Sequence, residues 1–243
     1  MPEIIFGRHP VAEAIKDGTT VERVMLQQGT RGEMEIEMRH LCRDYDIPLQ
    51  IVPKEKLQQL TRGNHQGVIA FISPVPFYKL EDVLPGIYER GETPLILILD
   101  GVTDVRNFGA IARSAACTGV HTIVIPQKGS ATITPEAVKA SAGALLKIPV
   151  CRTHSLVNVL DFLHLNGLTT FAADVKGKSP VYKMDLSVPC AVIVGAEDEG
   201  IQQALLSRVN HRFFIPQTDM TDSFNVSVAT GITLYEVMRQ RAM

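Results

Sequence analysis

The sequence has no apolar run long enough to cross a membrane as a helix. Its longest apolar stretch with strand character, residues 95–99, is far shorter than the roughly 20 residues that a membrane-spanning helix needs. The first ten residues, MPEIIFGRHP, also lack the basic start and apolar core of a secretory signal. We therefore expect a cytoplasmic protein with no membrane contact.

Cysteine is scarce, and neither cysteine nor histidine is clustered. The four cysteines form no C-x-x-C pair, which argues against a zinc site and against a disulfide framework. No two of the seven histidines have metal-ligand spacing. We predict no metal and reduced, mostly buried thiols at Cys42, Cys117, Cys151 and Cys190.

No charge of one sign dominates. The chain has 24 Lys and Arg against 26 Asp and Glu, a net charge of −2. The nets of residues 1–73, 74–93 and 94–243 are −1, −2 and +1. This balance excludes the molecule-wide basic field of many nucleic-acid binders, so any RNA or DNA contact must be confined to a small surface.

The length of 243 residues allows a small domain joined to a larger one. Residues 1–73 alternate short helices and strands, which indicates a compact α/β module. Helices are predicted from His9 to Gly18, over 31–46 and over 54–60, and the methionines of the second helix are predicted to lie in the core. Strands are predicted over 22–27, 49–52 and 68–72. Residues 74–93 are acidic and rich in proline, which interrupts helices and sheets, and are predicted to be an interdomain linker.

Residues 94–243 alternate continuous apolar runs with segments of helical periodicity. The runs lie at 95–99, 122–126, 146–151, 169–173, 191–195 and 212–216, and a last helix is predicted over 226–239. Apolar strands separated by helices indicate an α/β fold with a parallel sheet of about six strands covered on both faces. Ligands of such a domain bind beyond the carboxyl ends of its strands.

The first polar segment that follows a predicted strand is Asp100 to Val120. Asn107 stands ahead of a helix rich in alanine, and Arg106 and Arg113 are its cations. Taken alone, Asn107 is typical of a helix N-cap and Arg113 of a solvated helix face.

The second segment is Val194 to Ile201. Gly195 permits a backbone approach that a side chain would block, and Glu197 is a candidate functional carboxylate. We interpret Asp198 and Glu199 as favourable charge before a helix that begins near Ile201. Neither G-x-x-x-x-G-K-[ST] nor G-x-G-x-x-G occurs, which excludes a conventional dinucleotide or phosphate loop.

The third segment, Ile215 to Gly231, contains more polar groups than helix capping needs. One Ser or Asp would suffice as an N-cap. The surplus suits a pocket that reads a ligand through backbone groups and adenine-type hydrogen bonds. The crowded residues are Thr221, Asp222, Ser223 and Asn225.

These three segments resemble the motifs of the SpoU/TrmH branch of the SPOUT class, the RNA ribose 2′-O-methyltransferases. The motifs stand here as Asn107-Phe108-Gly109 with Arg113, as Gly195 to Gly200 (GAEDEG), and as Ile215-Pro216 with SFNVSVA over 223–229. The segments GRHPV at 7–11 and HQG at 65–67 resemble the substrate-binding domain of the family's 23S ribosomal RNA guanosine methyltransferases. The departures from the family pattern are Val105, Gln217 and Phe224.

The resemblance implies a C-terminal trefoil knot, a homodimer and S-adenosyl-L-methionine as cofactor. The cofactor-binding residues that it implies are Gly195, Ala196, Ile215, Phe224 and Val226. The residues implied at the reacting centre are Arg113, Asn107, Glu197, Ser223 and Asn225, with Glu197 orienting Asn107 or Arg113. For RNA contact we predict Arg8 and Arg106.

Two questions stay open from the sequence. Arg113 is the family's candidate base, but a guanidinium is nearly always charged, so it can equally hold the adjacent phosphate and stabilise the developing alkoxide. The substrate is expected to be ribosomal RNA, with transfer RNA as the first alternative and a non-catalytic RNA-binding role as the second. An ordinary Rossmann enzyme is excluded because its fingerprint is absent.

Overall fold

The computed structural model describes residues 3–218, 220 and 223–242, and these divide into two compact units. The first unit contains residues 3–76 together with Ile133–Pro135, and the second contains Phe77–Thr132 and residues 136–242. Each unit has its own sheet.

The first unit is an α/β module with a four-stranded sheet in the order β1-β4-β2-β3. Strand β4 pairs antiparallel with β1 and β2, and β3 pairs parallel with β2. The helices pack against the sheet through Val11, Ile15 and Met38, which are almost fully buried. The elements are β1 (Ile4–Phe6), α1 (Arg8–Lys16), β2 (Val21–Gln27), α2 (Glu33–Asp44), β3 (Leu49–Val52), α3 (Lys54–Leu60) and β4 (Val68–Ile72).

The second unit confirms the predicted parallel sheet. It has eight strands in the order β10-β12-β9-β11-β6-β7-β8-β5, and all the pairings are parallel. The strands are β5 (Phe77–Tyr78), β6 (Leu95–Asp100), β7 (Thr122–Pro126), β8 (Val150–Thr153), β9 (Thr169–Ala173), β10 (Ser179–Pro180), β11 (Cys190–Gly195) and β12 (His211–Phe214). Two of these strands, β5 and β10, are short edge strands that the apolar pattern did not reveal.

Helices cover the sheet of the second unit. They are α4 (Leu80–Glu89), α5 (Val105–Cys117), α6 (Pro135–Ala140), α7 (Leu156–Leu165), α8 (Gln203–Leu206) and α9 (Val226–Arg241), and short 3₁₀ turns lie at Ala144–Leu146 and Val181–Lys183. The strand predicted over 146–151 begins only at Val150, because the chain up to Leu146 forms one of these turns. No helix among the described residues has both the length and the apolar composition to cross a membrane.

Residues 74–93, predicted as a linker, largely belong to the second unit. Strand β5 pairs with β8, and Leu80, Leu84 and Ile87 of α4 are buried in the core. Pro85 lies inside α4 and costs that helix about 3 kcal/mol. The three buried side chains contribute about 1.5–3 kcal/mol each, which outweighs that cost. The proline-rich composition of residues 74–93 therefore predicted a longer interdomain linker than the structure contains.

The predicted state of the cysteines agrees with the structure. All four thiols are free, and Cys42, Cys151 and Cys190 are buried while Cys117 is exposed. Burial raises the pKa of each of the three buried thiols to about 11. These thiols are therefore protonated and unreactive at neutral pH.

Strand order places a topological switch point at β6 and β11. From β6 the chain adds β7 and then β8 on one side, whereas β9 and β12 lie on the other side beyond β11. Ligands of open α/β sheets bind at such a point, outside the carboxyl ends of the strands. The loops that follow β6, β11 and β12 all begin at that edge.

The C-terminal helix α9 is anchored at the opposite edge by Arg241. Its guanidinium donates hydrogen bonds to the carbonyl oxygens of Thr93 (2.7 Å), Pro94 (3.0 Å), Val188 (2.8 Å) and Leu186 (3.2 Å). These carbonyls precede β6 and β11, so one side chain joins the helix to the amino ends of both central strands.

We expect Arg241→Ala to lower the free energy of unfolding by about 2–4 kcal/mol, because several charge-assisted hydrogen bonds are lost and half-buried carbonyls lose their donors. Urea denaturation followed by circular dichroism measures this loss. Arg208→Ala is the control: its side chain is half exposed and pairs with Asp161, so its loss should cost less than about 1 kcal/mol. Equal effects of the two substitutions would contradict the anchoring role.

Candidate functional site

The switch point opens into a cavity of about 710 Å³ within the second unit. This volume lies in the range of small-molecule sites. Of the sequence-predicted residues, those that line it are Gly195, Ala196, Glu197, Asp198, Glu199, Ile215, Ser223, Phe224 and Val226. Thr221 and Asp222 lie outside the described residues.

Gly195 is required by a close approach of backbone. A Cβ atom on Gly195 would lie 2.2 Å from the carbonyl carbon of Gly200 and 2.4 Å from the nitrogen of Ile201. The chain between them turns back on itself, since Gly200 N donates to Ala196 O at 2.9 Å and Gly200 has a φ of +66°. The turn presents the side chain of Glu197 to the cavity.

The carboxylate of Glu197 joins the three predicted segments. Its Oε1 accepts hydrogen bonds from Asn107 Nδ2 at 3.5 Å, from Val226 N at 3.2 Å and from Asn225 Nδ2. Asn225 Nδ2 also donates to Asn107 Oδ1 at 3.1 Å. The structure thus brings together Asn107, Glu197 and Asn225, which lie far apart in the sequence.

Two helix caps differ from the sequence interpretation. Helix α5 begins at Val105, and its N-cap is Asp104, whose carboxylate accepts from Asn107 N at 2.7 Å. Asn107 is therefore in the first turn and its amide is available to Glu197. Helix α9 is capped by Asn225, whose Oδ1 accepts from Ser227 N at 2.9 Å. A single asparagine thus caps a helix through its oxygen and binds Glu197 through its nitrogen.

The interpretation of Asp198 and Glu199 as helix N-terminal charge is wrong. The next helix, α8, begins only at Gln203 and has no acidic residue in its first turn. Both carboxylates instead lie in the turn that Gly200 closes, and both line the cavity. A cavity with acidic groups favours a ligand that carries positive charge.

Arg106 and Arg113 do not line the cavity. They lie seven positions apart on α5, which brings them to one exposed face of that helix. Arg113 is six positions from Asn107, or about 120° away around the helix axis. The structure therefore separates Arg113 from the Glu197 cluster of its own chain.

Arg8, in the first unit, is already engaged. Its Nε donates to Glu37 Oε2 at 3.0 Å, and its Nη2 lies 3.9 Å from Glu33 Oε2. The hydrogen bond from Arg8 lowers the pKa of Glu37 below its usual range. A phosphate must compete with these carboxylates for the guanidinium.

The sequence interpretation missed a buried carboxylate behind the site. Asp100, at the end of β6, accepts from Gln202 N at 2.7 Å and from Gln202 Nε2 at 2.6 Å. It thereby holds the far end of the turn that carries Glu197. An aspartate that ends an otherwise apolar strand was the available signal.

Three more charged residues of the cavity were also missed. Asp174 follows β9, Lys176 lies two residues later, and Arg212 is on β12. Their segments contain no motif. Among the described residues no group of three or more His, Cys, Asp or Glu side chains could hold a metal ion.

We expect Gly195→Ala to destabilise the protein by about 1–3 kcal/mol, because the added Cβ displaces the backbone of Gly200 and Ile201. Gly86→Ala is the matched control. Gly86 lies in helix α4, and its added Cβ would come no closer than 3.6 Å to a side-chain atom of Arg90. There alanine should stabilise by about 0.5–1 kcal/mol. Thermal denaturation measures the stability of both variants. A Gly195→Ala variant as stable as the wild-type protein would contradict the close approach of the backbone at Gly195.

Comparison with known proteins identifies the family of the chain. The SpoU rRNA methylase family matches residues 94–235, and the RNA 2′-O ribose methyltransferase substrate-binding family matches residues 4–78. A protein of Staphylococcus aureus (strain MSSA476) assigned to the TrmH family of tRNA/rRNA methyltransferases is 33% identical over 98% of this chain and 96% of its own.

Solved structures show the same fold. The SpoU methyltransferase AviRb from Streptomyces viridochromogenes, in complex with AdoMet, superposes with a TM-score of 0.63 at 23% identity over 98% of this chain and 90% of its own. The A. aeolicus TrmH/SpoU tRNA modifying enzyme gives a TM-score of 0.57 at 28% identity over 67% of this chain and 84% of its own. The chain belongs to the SpoU/TrmH family of RNA methyltransferases.

Proposed function

We propose that the protein transfers a methyl group from S-adenosyl-L-methionine to a ribose 2′-hydroxyl of structured RNA, in the cytoplasm, and that its target is a guanosine of 23S ribosomal RNA. The observation that carries this proposal is the Glu197 cluster. Glu197 lines a ligand-sized cavity and is hydrogen-bonded to Asn107 and Asn225, so polar groups that can orient a hydroxyl lie beside the space for a methyl donor.

The lining of the cavity fits that cofactor. S-adenosyl-L-methionine combines a positive sulfonium and ammonium with one carboxylate and an adenine ring. Acidic side chains at 197–199 complement its cations, and Lys176 and Arg212 complement its carboxylate. Val194, Ile215 and Phe224 offer apolar surface for the ring. Bound there, the cofactor supplies an electrophilic methyl group.

The residues of this chain would position the reacting hydroxyl. Methyl transfer is an in-line displacement, so alignment supplies much of the rate enhancement. Glu197 holds Asn107 and Asn225 in place, and Ser223 lines the cavity next to them. We propose that Arg113, as a permanent cation, holds the adjacent phosphate and stabilises the negative charge that develops on the ribose oxygen as the hydroxyl gives up its proton to solvent water.

We propose that Arg113 acts at the reacting centre of a second copy of the chain. Helix α9, which packs against α5, exposes apolar side chains on one face: Val228, Tyr235 and Met238 are 48%, 58% and 38% exposed. A second copy would cover this face. We propose a homodimer in which the Arg113 of each protomer completes the site of the other.

Topology supports the proposed trefoil knot. Strand β11 lies between β9 and β6, and after β12 the chain returns to α5 as α9. The backbone at Gly195 passes against that at Gly200 and Ile201. Such crossings are compatible with a segment threaded through a loop, which is rare among protein folds.

Transfer RNA is the alternative substrate, because the names of the relatives mention both RNAs. The match of residues 4–78 to a ribose methyltransferase substrate-binding family supports a 2′-O target. A non-catalytic RNA-binding role would not explain why Asn107, Glu197 and Asn225 form a hydrogen-bonded cluster beside a ligand-sized cavity. Mapping 2′-O-methylation in ribosomal and transfer RNA, with and without the gene, distinguishes the two substrates.

Isothermal titration calorimetry tests the cofactor. S-adenosyl-L-methionine and its demethylated product should bind at one site per chain, whereas NAD and ATP should not bind. Replacement of Phe224 by Ala should weaken binding, because the side chain lines the cavity. Tight binding of a nucleoside triphosphate instead would contradict the proposal.

Mixed dimers test the shared site. Arg113→Ala and Glu197→Ala should each be inactive. When the two variants are co-expressed in equal amounts, about half of the dimers are mixed, and one of the two sites in each mixed dimer then has both wild-type residues. Single-turnover methyl transfer should recover to roughly a quarter of the wild-type amplitude. No recovery would show that Arg113 does not act on the site of the partner copy.

A further inference from the structure

A second groove of about 570 Å³ lies beside β12, at the edge of the large sheet. It shares Lys176, Leu206 and Arg212 with the first cavity, so the two spaces adjoin. Its other lining residues are Lys178, Ser179, Met184, Ser207, Val209, Asn210 and His211. Lys176 and Arg212 are already proposed to bind the cofactor carboxylate, but the residues that line only this groove have no part in the proposed transfer reaction.

The groove is basic although the chain as a whole is not. Lys176, Lys178 and Arg212 are cations, and no carboxylate among the described residues lines the groove. The carboxylate that faces it is Asp174, whose Oδ2 lies 4.0 Å from Arg212 Nη1. Neither lysine forms a side-chain ion pair within the described part of the chain. In a protein of net charge −2, such a cluster is a local anion-attracting surface.

The backbone holds the two lysines in place. They flank Gly177, whose missing Cβ would lie 2.5 Å from the carbonyl carbon of Phe213 on β12. Asp174 N donates to Phe213 O at 2.9 Å, and Gly177 N donates to Asp174 O at 2.8 Å. The backbone of the loop is therefore fixed against the strand, so binding needs to order only the lysine side chains and not the loop itself.

Arg212 is held in the same way. Its Nε and Nη2 both donate to Leu206 O, at 2.9 and 2.5 Å, at the carboxyl end of α8. The guanidinium is thereby oriented on the boundary between groove and cavity. Lys178 lines the groove and not the cavity, so a chain of phosphates bound along the groove would contact Lys178 as well as the cations shared with the cavity.

We infer that this groove binds the phosphodiester backbone of the substrate RNA next to the nucleotide that is methylated. The inference rests on the proposed function. Three cations exceed what one cofactor carboxylate needs, whereas successive phosphates can engage all of them and release counterions. Ser179, Ser207 and Asn210 add neutral hydrogen-bonding groups of the kind that contact phosphate and sugar.

The test uses Lys178, which lines the groove and not the cavity. Binding of the full-length protein to a fluorescein-labelled RNA stem-loop is measured by anisotropy across a salt series. Because each phosphate contact contributes about 0.7–0.9 to the slope of log K against log salt, Lys178→Gln should reduce the slope by that amount. The ratio of wild-type to variant affinity should therefore be roughly five- to eightfold larger at 0.1 M salt than at 1 M salt. Lys178→Arg should retain the wild-type slope.

Lys147→Gln is the matched control, since Lys147 is exposed and precedes the amino end of β8, away from the groove. Titration of each variant with S-adenosylhomocysteine gives a second readout, the dissociation constant of this molecule, which should equal that of the wild-type protein. Two results would overturn the assignment of the groove to RNA while leaving the proposed function intact. One is that Lys178→Gln binds RNA as tightly as the wild-type protein. The other is that Lys178→Gln and Lys147→Gln lose the same RNA affinity. Weaker S-adenosylhomocysteine binding would assign the groove to the cofactor instead. Failure of the wild-type protein to bind RNA would overturn the proposed function as well.

Discussion

One carboxylate oxygen, Glu197 Oε1, holds the site together. It accepts hydrogen bonds from Asn107 on α5, from Asn225 at the cap of α9 and from the backbone of Val226. Removal of a charged acceptor from several donors costs more than the loss of one neutral hydrogen bond. Its position in turn depends on Gly195, because only a residue without a Cβ lets the turn close, and on Asp100, which holds the turn's far end. The close approach at Gly195, the geometry of the turn and the polar cluster around Glu197 therefore depend on one another.

Electrostatics divides the second unit into two environments. The cavity contains the acidic turn at 197–199, which suits a positively charged methyl donor, and the adjoining groove is basic, which suits phosphates. Lys176 and Arg212 lie on the boundary between them. An overall net charge of −2 conceals this arrangement, because opposite charges of neighbouring surfaces cancel in the sum.

Much of the fold was predictable, because buried parallel strands have a distinct apolar signature. The runs that became β6, β7, β9 and β11 are continuous and well separated, and the structure places strands there. Strands β5 and β10 have only two residues each, too few to show a pattern. Helix α4 was hidden because Pro85 suggests a break, while the burial of its leucines is visible only in three dimensions.

The site could be predicted only where it carries a motif. Asn107, Glu197 and Asn225 stand in motifs. The sequence did not identify the caps of α5 and α9, because Asp104 and Asn225 lie among several polar residues that can also cap a helix. Asp100, Lys176 and Arg212 lie in segments without a motif. Their proximity arises from strand order, which crosses from β8 to β9 on the far side of β11. The periodicity of apolar residues along the chain predicts where strands lie but not their order in the sheet.

The central claim is that the cluster around Glu197 directs a methyl group to a ribose oxygen. The most direct measurement is alkaline hydrolysis of RNA that the protein has methylated with ¹⁴C-labelled S-adenosyl-L-methionine. Alkali cleaves RNA through the free 2′-hydroxyl, so a 2′-O-methylated ribose protects the bond that follows it. The label should appear in alkali-resistant dinucleotides, and Glu197→Gln should reduce its amount without changing this position. Label recovered in mononucleotides would place the methyl group on a base and contradict the claim.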